Sequence, residues 1–164
     1  MNFRLEQLFS APVTAVARAY TEPAFYERLG QLPKLGRPEV LGREEDGHLV
    51  RLQVRYRFTG DLSPAVRRVI DPERLTWVEH TTHDLARLEV DFTMAPDHYA
   101  DKLRSSGRYR FEADGERTRR VADGELNVRV PIVGGAVERA IISGMRDHLT
   151  DEVAVVESFV AGGG

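Results

Sequence analysis

Three periodicities follow one another along this chain. From Asn2 to Ser10, Phe3, Leu5 and Phe9 alternate with Asn2, Arg4, Glu6 and Ser10, the two-residue period of a strand with one buried face. Gln7 is the polar intruder on the apolar side. Ser10-Ala11-Pro12 then predicts a strand end and a helix start, with Val13, Val16, Ala17 and Tyr20 forming an i, i+3, i+4, i+7 stripe. Glu22-Pro23 breaks that helix, and a second short one over 24–29 carries Phe25 and Leu29 inward. Gly30, Pro33, Gly36 and Pro38 mark a loop after it.

The middle of the chain has period two. His48, Val50, Leu52, Val54, Tyr56 and Phe58 share one face of a strand, and Arg51, Gln53, Arg55 and Arg57 the other. Asp46-Gly47 predicts a type I′ hairpin turn pairing this strand with 39–45, and Asp114-Gly115 repeats the signal between 106–113 and 117–130. Ser63-Pro64 starts a helical turn over 65–70, ended by Asp71-Pro72. Strands over 75–82 and 86–94 follow, the second with Leu88, Val90, Phe92 and Met94 inward, and 96–102 forms a loop. In the last strand the apolar parity changes from odd at Val121 to even at Leu126, Val128 and Val130, which predicts a β-bulge at Asp123-Gly124.

From Gly134 onward the period is helical. Val137, Ile141, Met145, Leu149, Val153, Val156 and Val160 fall on one side, so a helix about 40 Å long is expected to lie with that stripe on the sheet. Pro131 ends the preceding strand, Gly134-Gly135 allows a sharp change of direction, and Glu138 is placed in the first helical turn.

This order gives an α+β class: one strand, two short helices, a curved antiparallel sheet of six to seven strands in all, and a long C-terminal helix as its cover. A sheet wrapped around a helix leaves a cavity between them. The 164 residues are read as a single domain over 1–161 with a flexible tail over 162–164. With no cysteine, disulfides and thiolate chemistry are excluded. Residues 1–6 are charged and alternating, and no apolar run approaches membrane-spanning length, so a cytoplasmic protein without an integral membrane segment is expected. A net charge of -3 gives no general attraction to nucleic acid. Nothing in the sequence fixes an oligomeric state.

Three stretches carry a resemblance: Ser10-Ala11-Pro12, Thr76-Trp77, and above all Val128-Arg129-Val130-Pro131-Ile132-Val133-Gly134-Gly135-Ala136-Val137-Glu138. On these the chain resembles, over nearly its whole length, the helix-grip fold of the START-like (SRPBCC) superfamily, and within it the group called domain of unknown function 2505. The superfamily includes lipid-transfer domains, polyketide cyclases and plant hormone or allergen binders. The resemblance therefore implies a captured hydrophobic ligand, while the narrower group offers no catalytic residues to carry over.

Polar side chains on inward faces are the best candidates for chemistry, because an unpaired buried polar group costs about 1–3 kcal/mol. Gln7, Tyr56, Glu79 and Tyr109, with Thr81, are such groups. With the inward apolar residues Val54, Trp77, Val90, Phe92, Phe111, Ile141, Met145 and Leu149, they form the expected ligand-binding set. His98 with Asp97 is a candidate general base in a loop, whereas His48 and His148 read as surface groups. His80 and His83, three apart on a strand, face opposite sides, so neither a metal nor another cofactor is expected. Arg51, Arg55 and Arg57 are expected to pair across strands with Glu89, Asp91 and Glu112. The expected partner is a small hydrophobic or amphipathic ligand such as a lipid, isoprenoid or polyketide. The alternatives are a cyclase- or hydrolase-like enzyme using cavity polar groups, and an interaction module using the arginine-bearing face.

Overall fold

The computed structural model describes residues 1–32 and 36–163; Pro33 of the expected loop and Gly164 of the expected tail lie outside the described residues. These residues form seven strands, β1 (Asn2–Phe9), β2 (Glu39–Asp46), β3 (Leu49–Arg57), β4 (Thr76–Asp84), β5 (Glu89–Pro96), β6 (Leu103–Asp114) and β7 (Arg117–Val128). The helices are α1 (Val13–Ala19), α2 (Pro23–Leu29), α3 (Pro64–Arg67) and α4 (Gly134–Ala161). One curved sheet in the order β1-β7-β6-β5-β4-β3-β2 runs antiparallel throughout, with β1 returning to pair with β7. The core lies on its concave face, where α4 packs against β1, β7, α1 and α2.

Both hairpins form one residue later than the dipeptides suggest. Asp46 pairs with Leu49 and Asp114 with Arg117, so the two-residue loops are Gly47-His48 and Gly115-Glu116. Within these two loops positive φ occurs at Gly47 (59°) and Gly115 (61°) but not at His48 or Glu116, which is the type II′ pattern and not type I′. Ser10 does not cap α1, whose N-cap is Pro12; the Ser10 backbone N–H instead donates to Glu157 of α4 at 2.6 Å. Leu88 is in the turn before β5, with φ of 57°.

The expected bulge in β7 is absent. Its register with β1 and β6 is continuous past residues 123–124, and the even positions Thr118, Arg120, Ala122, Leu126 and Val128 are all buried. The apparent phase slip has two causes. Arg120 occupies an inward position, while Val121 is buried on the convex face, flanked in the ladder by Glu6 and Arg110, both engaged in ion pairs. Gly124 answers to close approach: a Cβ there would stand 2.6 Å from the Phe3 ring. A bulge does occur in β2, between Val40 and Gly42.

Convex-face arginines take partners set by strand order. Since β5 neighbours β4 and β6, Glu89 and Asp91 pair with Arg108, and Glu112 with Arg119. Arg55 and Arg57 bind Asp97 and Glu73, and Arg51 forms none of the expected pairs. Exposed pairs of this kind are screened by water and salt and add little to stability.

α4 has 28 residues, about 42 Å. Gly134 is required at its start, because a Cβ would fall onto the Val128 carbonyl. Glu138 lies beyond the first turn, accepting the Val128 N–H at 2.9 Å and facing the Met1 ammonium at 3.7 Å. Its buried stripe differs from the predicted one: Ile142, His148, Glu152 and Phe159 are buried, whereas Met145, Val153 and Val160 are half-buried. Steps of four residues drift by about 40° each on a 3.6-residue helix, so a row started at Val137 leaves the inner face before Val153. At the other end, Gly162 and Gly163 bond back to Ser158 and Val160.

Candidate functional site

The ladder registers set inward side chains in rows across the sheet. Val54, Glu79, Met94 and Ser105 form one row, Leu52, Thr81 and Phe92 the next, and Val50, His83, Val90 and Tyr109 a third. Phe111, Arg120 and Gln7 form the fourth, towards β1. Between these rows and the inner faces of α2 and α4 lies a cavity of about 70 Å³. Its walls are aromatic and aliphatic, including Phe25, Tyr26, Leu29, Tyr56, Trp77, Phe92, Met145 and Leu149. Trp77 and Tyr56 stack at 5.9 Å between ring centroids, and Phe92 meets Tyr109 at 4.9 Å.

Glu79 stands in this apolar setting without a hydrogen-bond partner among the described residues. Burial pushes its carboxyl up to about 7, against the pull of Arg120. The hydroxyls of Tyr56 and Tyr109 likewise lack partners among the described residues, and burial raises both phenols well above their usual range. Tyr26 differs, donating to the Tyr20 carbonyl at 2.8 Å. His83 shares a 3.0 Å contact with Thr81 through Nε2, leaves Nδ1 unpartnered, and is brought down to about 3 by burial and then by Arg120.

A charged network closes the cavity on the β1 side. Arg120, 6 % exposed, donates from Nη1 to Gln7 at 2.7 Å and to Glu152 at 3.4 Å, while the rings of Tyr20 and Tyr109 each lie 3.9 Å from its guanidinium carbon. Glu152, 4 % exposed, also accepts from Tyr20, Gln7 and His148. Burial opposes its charge, yet His148, Arg120 and Tyr20 hold its carboxyl below the usual range. Burial likewise opposes the charge on Arg120, but the surrounding Tyr20, Tyr109 and Glu152 raise its guanidinium further. Gln7 is the bridge, with its amide N–H donating to the Leu149 carbonyl of α4 at 2.7 Å. This network fixes α4 to the sheet through Arg120 Nη1, while Arg120 Nε has no partner among the described residues.

A family model for proteins of unknown function, DUF2505, matches residues 4–160. The chain belongs to that family. No curated protein sequence matches it. Among solved structures, this DUF2505 chain is similar to TTHA0849 from Thermus thermophilus, with a TM-score of 0.70 and 21% identity over 99% of each chain. It is similar to the ZhuI aromatase/cyclase from Streptomyces sp. R1128, with a TM-score of 0.65 and 16% identity over 98% of this chain and 93% of that one. Norcoclaurine synthase from Thalictrum flavum gives a TM-score of 0.58 and 18% identity over 94% of this chain and 86% of that one. The architecture is the helix-grip fold.

Of the side chains expected to meet a ligand, Tyr56, Trp77, Glu79, Val90, Phe92, Tyr109, Met145 and Leu149 line the cavity of this DUF2505 protein, as does Thr81. Four lie elsewhere. Gln7 is buried in the Arg120 network, Val54 and Phe111 are packed into the core, and Ile141 borders a separate void of about 10 Å³. The sheet is deeper than the cavity, so facing inward does not suffice to reach it.

Sequence reasoning missed Arg120, Glu152, His148, Tyr20 and Tyr26. His148 is 4 % exposed and not on the surface, since it sits one turn from Glu152 on the inner face of α4. The even parity of residues 118–128 carried the signal for Arg120, and the positions of 148 and 152 beside Leu149 and Val156 carried it for the other two. His98 and Asp97 do not form a pair: His98 faces Arg74 and Asp97 binds Arg55. His80 is exposed, and among the described residues no three acidic or imidazole groups converge as a metal site. No helix among them is long and apolar enough to cross a membrane.

Proposed function

We propose that this protein binds a small amphipathic molecule, mostly apolar with one hydrogen-bonding group, in the cavity between the sheet and α4. The observation that carries this reading is Glu79, a carboxyl without a partner among the described residues in an aromatic-walled cavity, with the hydroxyls of Tyr56 and Tyr109, likewise unpartnered among them, on the same walls. Polar groups in such a place cost about 1–3 kcal/mol each unless water or a ligand completes them. Arg120 bonds Gln7 and Glu152 through Nη1 and leaves Nε without a partner among the described residues, so Glu79 and this N–H are the charged groups on the cavity walls that can address the ligand.

The cavity of about 70 Å³ holds a few waters, while pockets for drug-sized ligands measure roughly 300–1,000 Å³. Loading therefore involves movement of the helical wall, where Met145 supplies an unbranched, adaptable side chain. The binding unit in this reading is residues 1–161, acting in the cytoplasm. A second reading is favoured by the titration of Glu79 at about 7: a carboxyl poised there can both give and take a proton at neutral pH, as a cyclase- or hydrolase-like enzyme requires. The similar Streptomyces fold is an aromatase/cyclase.

Trp77 is the single tryptophan and lines the cavity, so its emission reports occupancy. Titration with 1-octanol is expected to give a saturable blue shift that Glu79→Leu weakens, and native mass spectrometry of the purified protein to show a bound lipid-like mass. An emission spectrum indifferent to octanol, with no bound mass, overturns the reading.

A further inference from the structure

The loop over 129–133, which joins β7 to α4, carries a side chain that the fold does not use. Ile132 is fully exposed and holds φ at 71°, a left-handed conformation that is rare for a β-branched residue. Pro131 beside it is exposed as well. Around this tip stand Lys102, Arg104, Arg129 and Arg139, all exposed and, among the described residues, none in an ion pair. They are brought together by the fold: the Arg129 N–H donates to the Lys102 carbonyl at 2.6 Å, Arg104 pairs with Asn127 in the β6–β7 ladder, and Arg139 is in the second turn of α4.

Nearby acids do not neutralise the group. Glu138 is taken by the Val128 N–H and the Met1 ammonium, which leaves the exposed Asp101 and Glu125 against four cations. The convex-face arginines Arg108, Arg110 and Arg119 are all ion-paired, in contrast to these four cations on a chain of net charge -3.

A strained, wholly exposed isoleucine stabilises nothing in the folded chain. With four unpaired cations on the segments that adjoin its loop, it matches a surface that is anionic outside and apolar just beneath. We propose that the Ile132 tip docks this protein peripherally on anionic membranes, with Ile132 entering the headgroup boundary and Lys102, Arg104, Arg129 and Arg139 engaging lipid phosphates. This inference stands on different residues from the cavity reading, yet the two meet in space. A surface groove at the ends of β5 and β6 contains Arg104 and Arg129 and reaches Met94 and Ser105, which also line the cavity.

Co-sedimentation with vesicles tests it. The protein is expected to pellet with equal parts phosphatidylglycerol and phosphatidylcholine, to stay in solution with phosphatidylcholine alone, and to be released by salt. Ile132→Asn suits the left-handed backbone, so it is expected to keep or raise the melting temperature while reducing binding to the phosphatidylcholine level. Arg129→Gln is expected to weaken binding about fivefold, the effect of one charge near such a surface. In the double variant Trp77→Phe, Ile132→Trp, the sole indole sits at the tip and its emission should shift to the blue with the anionic vesicles only. Wild-type protein left in solution beside those vesicles overturns the proposal, as does unimpaired pelleting of folded Ile132→Asn. Neither result bears on the octanol titration.

Discussion

The guanidinium carbon of Arg120 lies 3.9 Å from the centroid of the Tyr109 ring on the adjacent strand, and the Tyr20 ring approaches it just as closely. A cation so enclosed has lost nearly all of its water. Its charge is answered by Glu152 of α4 at 3.4 Å and by the Gln7 carbonyl at 2.7 Å.

Breaking this pair from one side leaves the other charge buried. Arg120→Met should therefore destabilise the protein by about 3–5 kcal/mol in urea unfolding, since Glu152 then keeps only His148, Tyr20 and Gln7. Replacing both, as Arg120→Met with Glu152→Leu, should recover much of that loss, because the desolvation of both charges disappears as well. A double variant as unstable as the sum of the two single ones would show that the network does not act as a unit.

Two groups on the cavity walls, Glu79 half-buried and His83 buried, should give opposed pH dependences. The Glu79 carboxyl titrates at about 7 in the folded chain against an ordinary 4.5, so its contribution to stability is intact below pH 4.5 and is lost as pH rises towards 7. The His83 imidazole titrates at about 3 against 6.5, so its contribution is present above pH 6.5 and is lost as pH falls towards 3. The slopes oppose each other between pH 4.5 and 6.5. Glu79→Gln should expose the His83 slope alone and raise stability above pH 7 by at most about 3 kcal/mol. His83→Phe should leave a curve that declines from pH 4.5 to 7. Denaturation midpoints measured across this range for the three proteins check both signs.

How far the sequence spoke for itself depended on which force was at work. Alternation in β1 and β3 gave the sheet its inner face because burial of apolar side chains decides that face directly. The same logic placed Trp77, Phe92 and Tyr109 on cavity walls. It misled at β7, where Arg120 points inward and Val121 outward, because counting apolar residues cannot recognise an inward cation whose partners arrive from other strands and from α4. Gln7 was legible as a buried polar group. Its role was not, since the residues that satisfy it lie more than a hundred positions away.

Gly107 and Gly124 pair across β6 and β7, and close packing accounts for both. A methyl group at Gly107 would fall onto the Asp123 carbonyl and stand 2.8 Å from the Phe92 ring. Gly107→Ala should therefore cost at least about 1–3 kcal/mol by overpacking, even though alanine suits a strand no worse than glycine. Phe92→Leu in the same background should relieve part of the strain, which thermal unfolding of the single and double variants would reveal as a non-additive melting temperature. Since Phe92 also lines the cavity, the Gly107→Ala variant should alter octanol binding as well.

The helical wall of the cavity gives the sharpest opposition between stability and capacity. Leu149 is buried, lines the cavity, and lends its carbonyl to Gln7. Leu149→Ala leaves that backbone bond in place while removing apolar volume next to a space of about 70 Å³. Truncation of a buried leucine costs about 3 kcal/mol, and the new apolar room gives an alkyl chain a place that the wild-type wall must move to provide. The variant should thus unfold at lower urea yet bind 1-octanol several-fold more tightly by Trp77 emission. Binding should add stability in proportion to free octanol, so the gap from wild type narrows as octanol is raised. If Leu149→Ala loses stability with no gain in affinity, the wall beside Leu149 does not limit entry, and the movement that admits a ligand belongs to the α2 side, at Phe25, Tyr26 and Leu29.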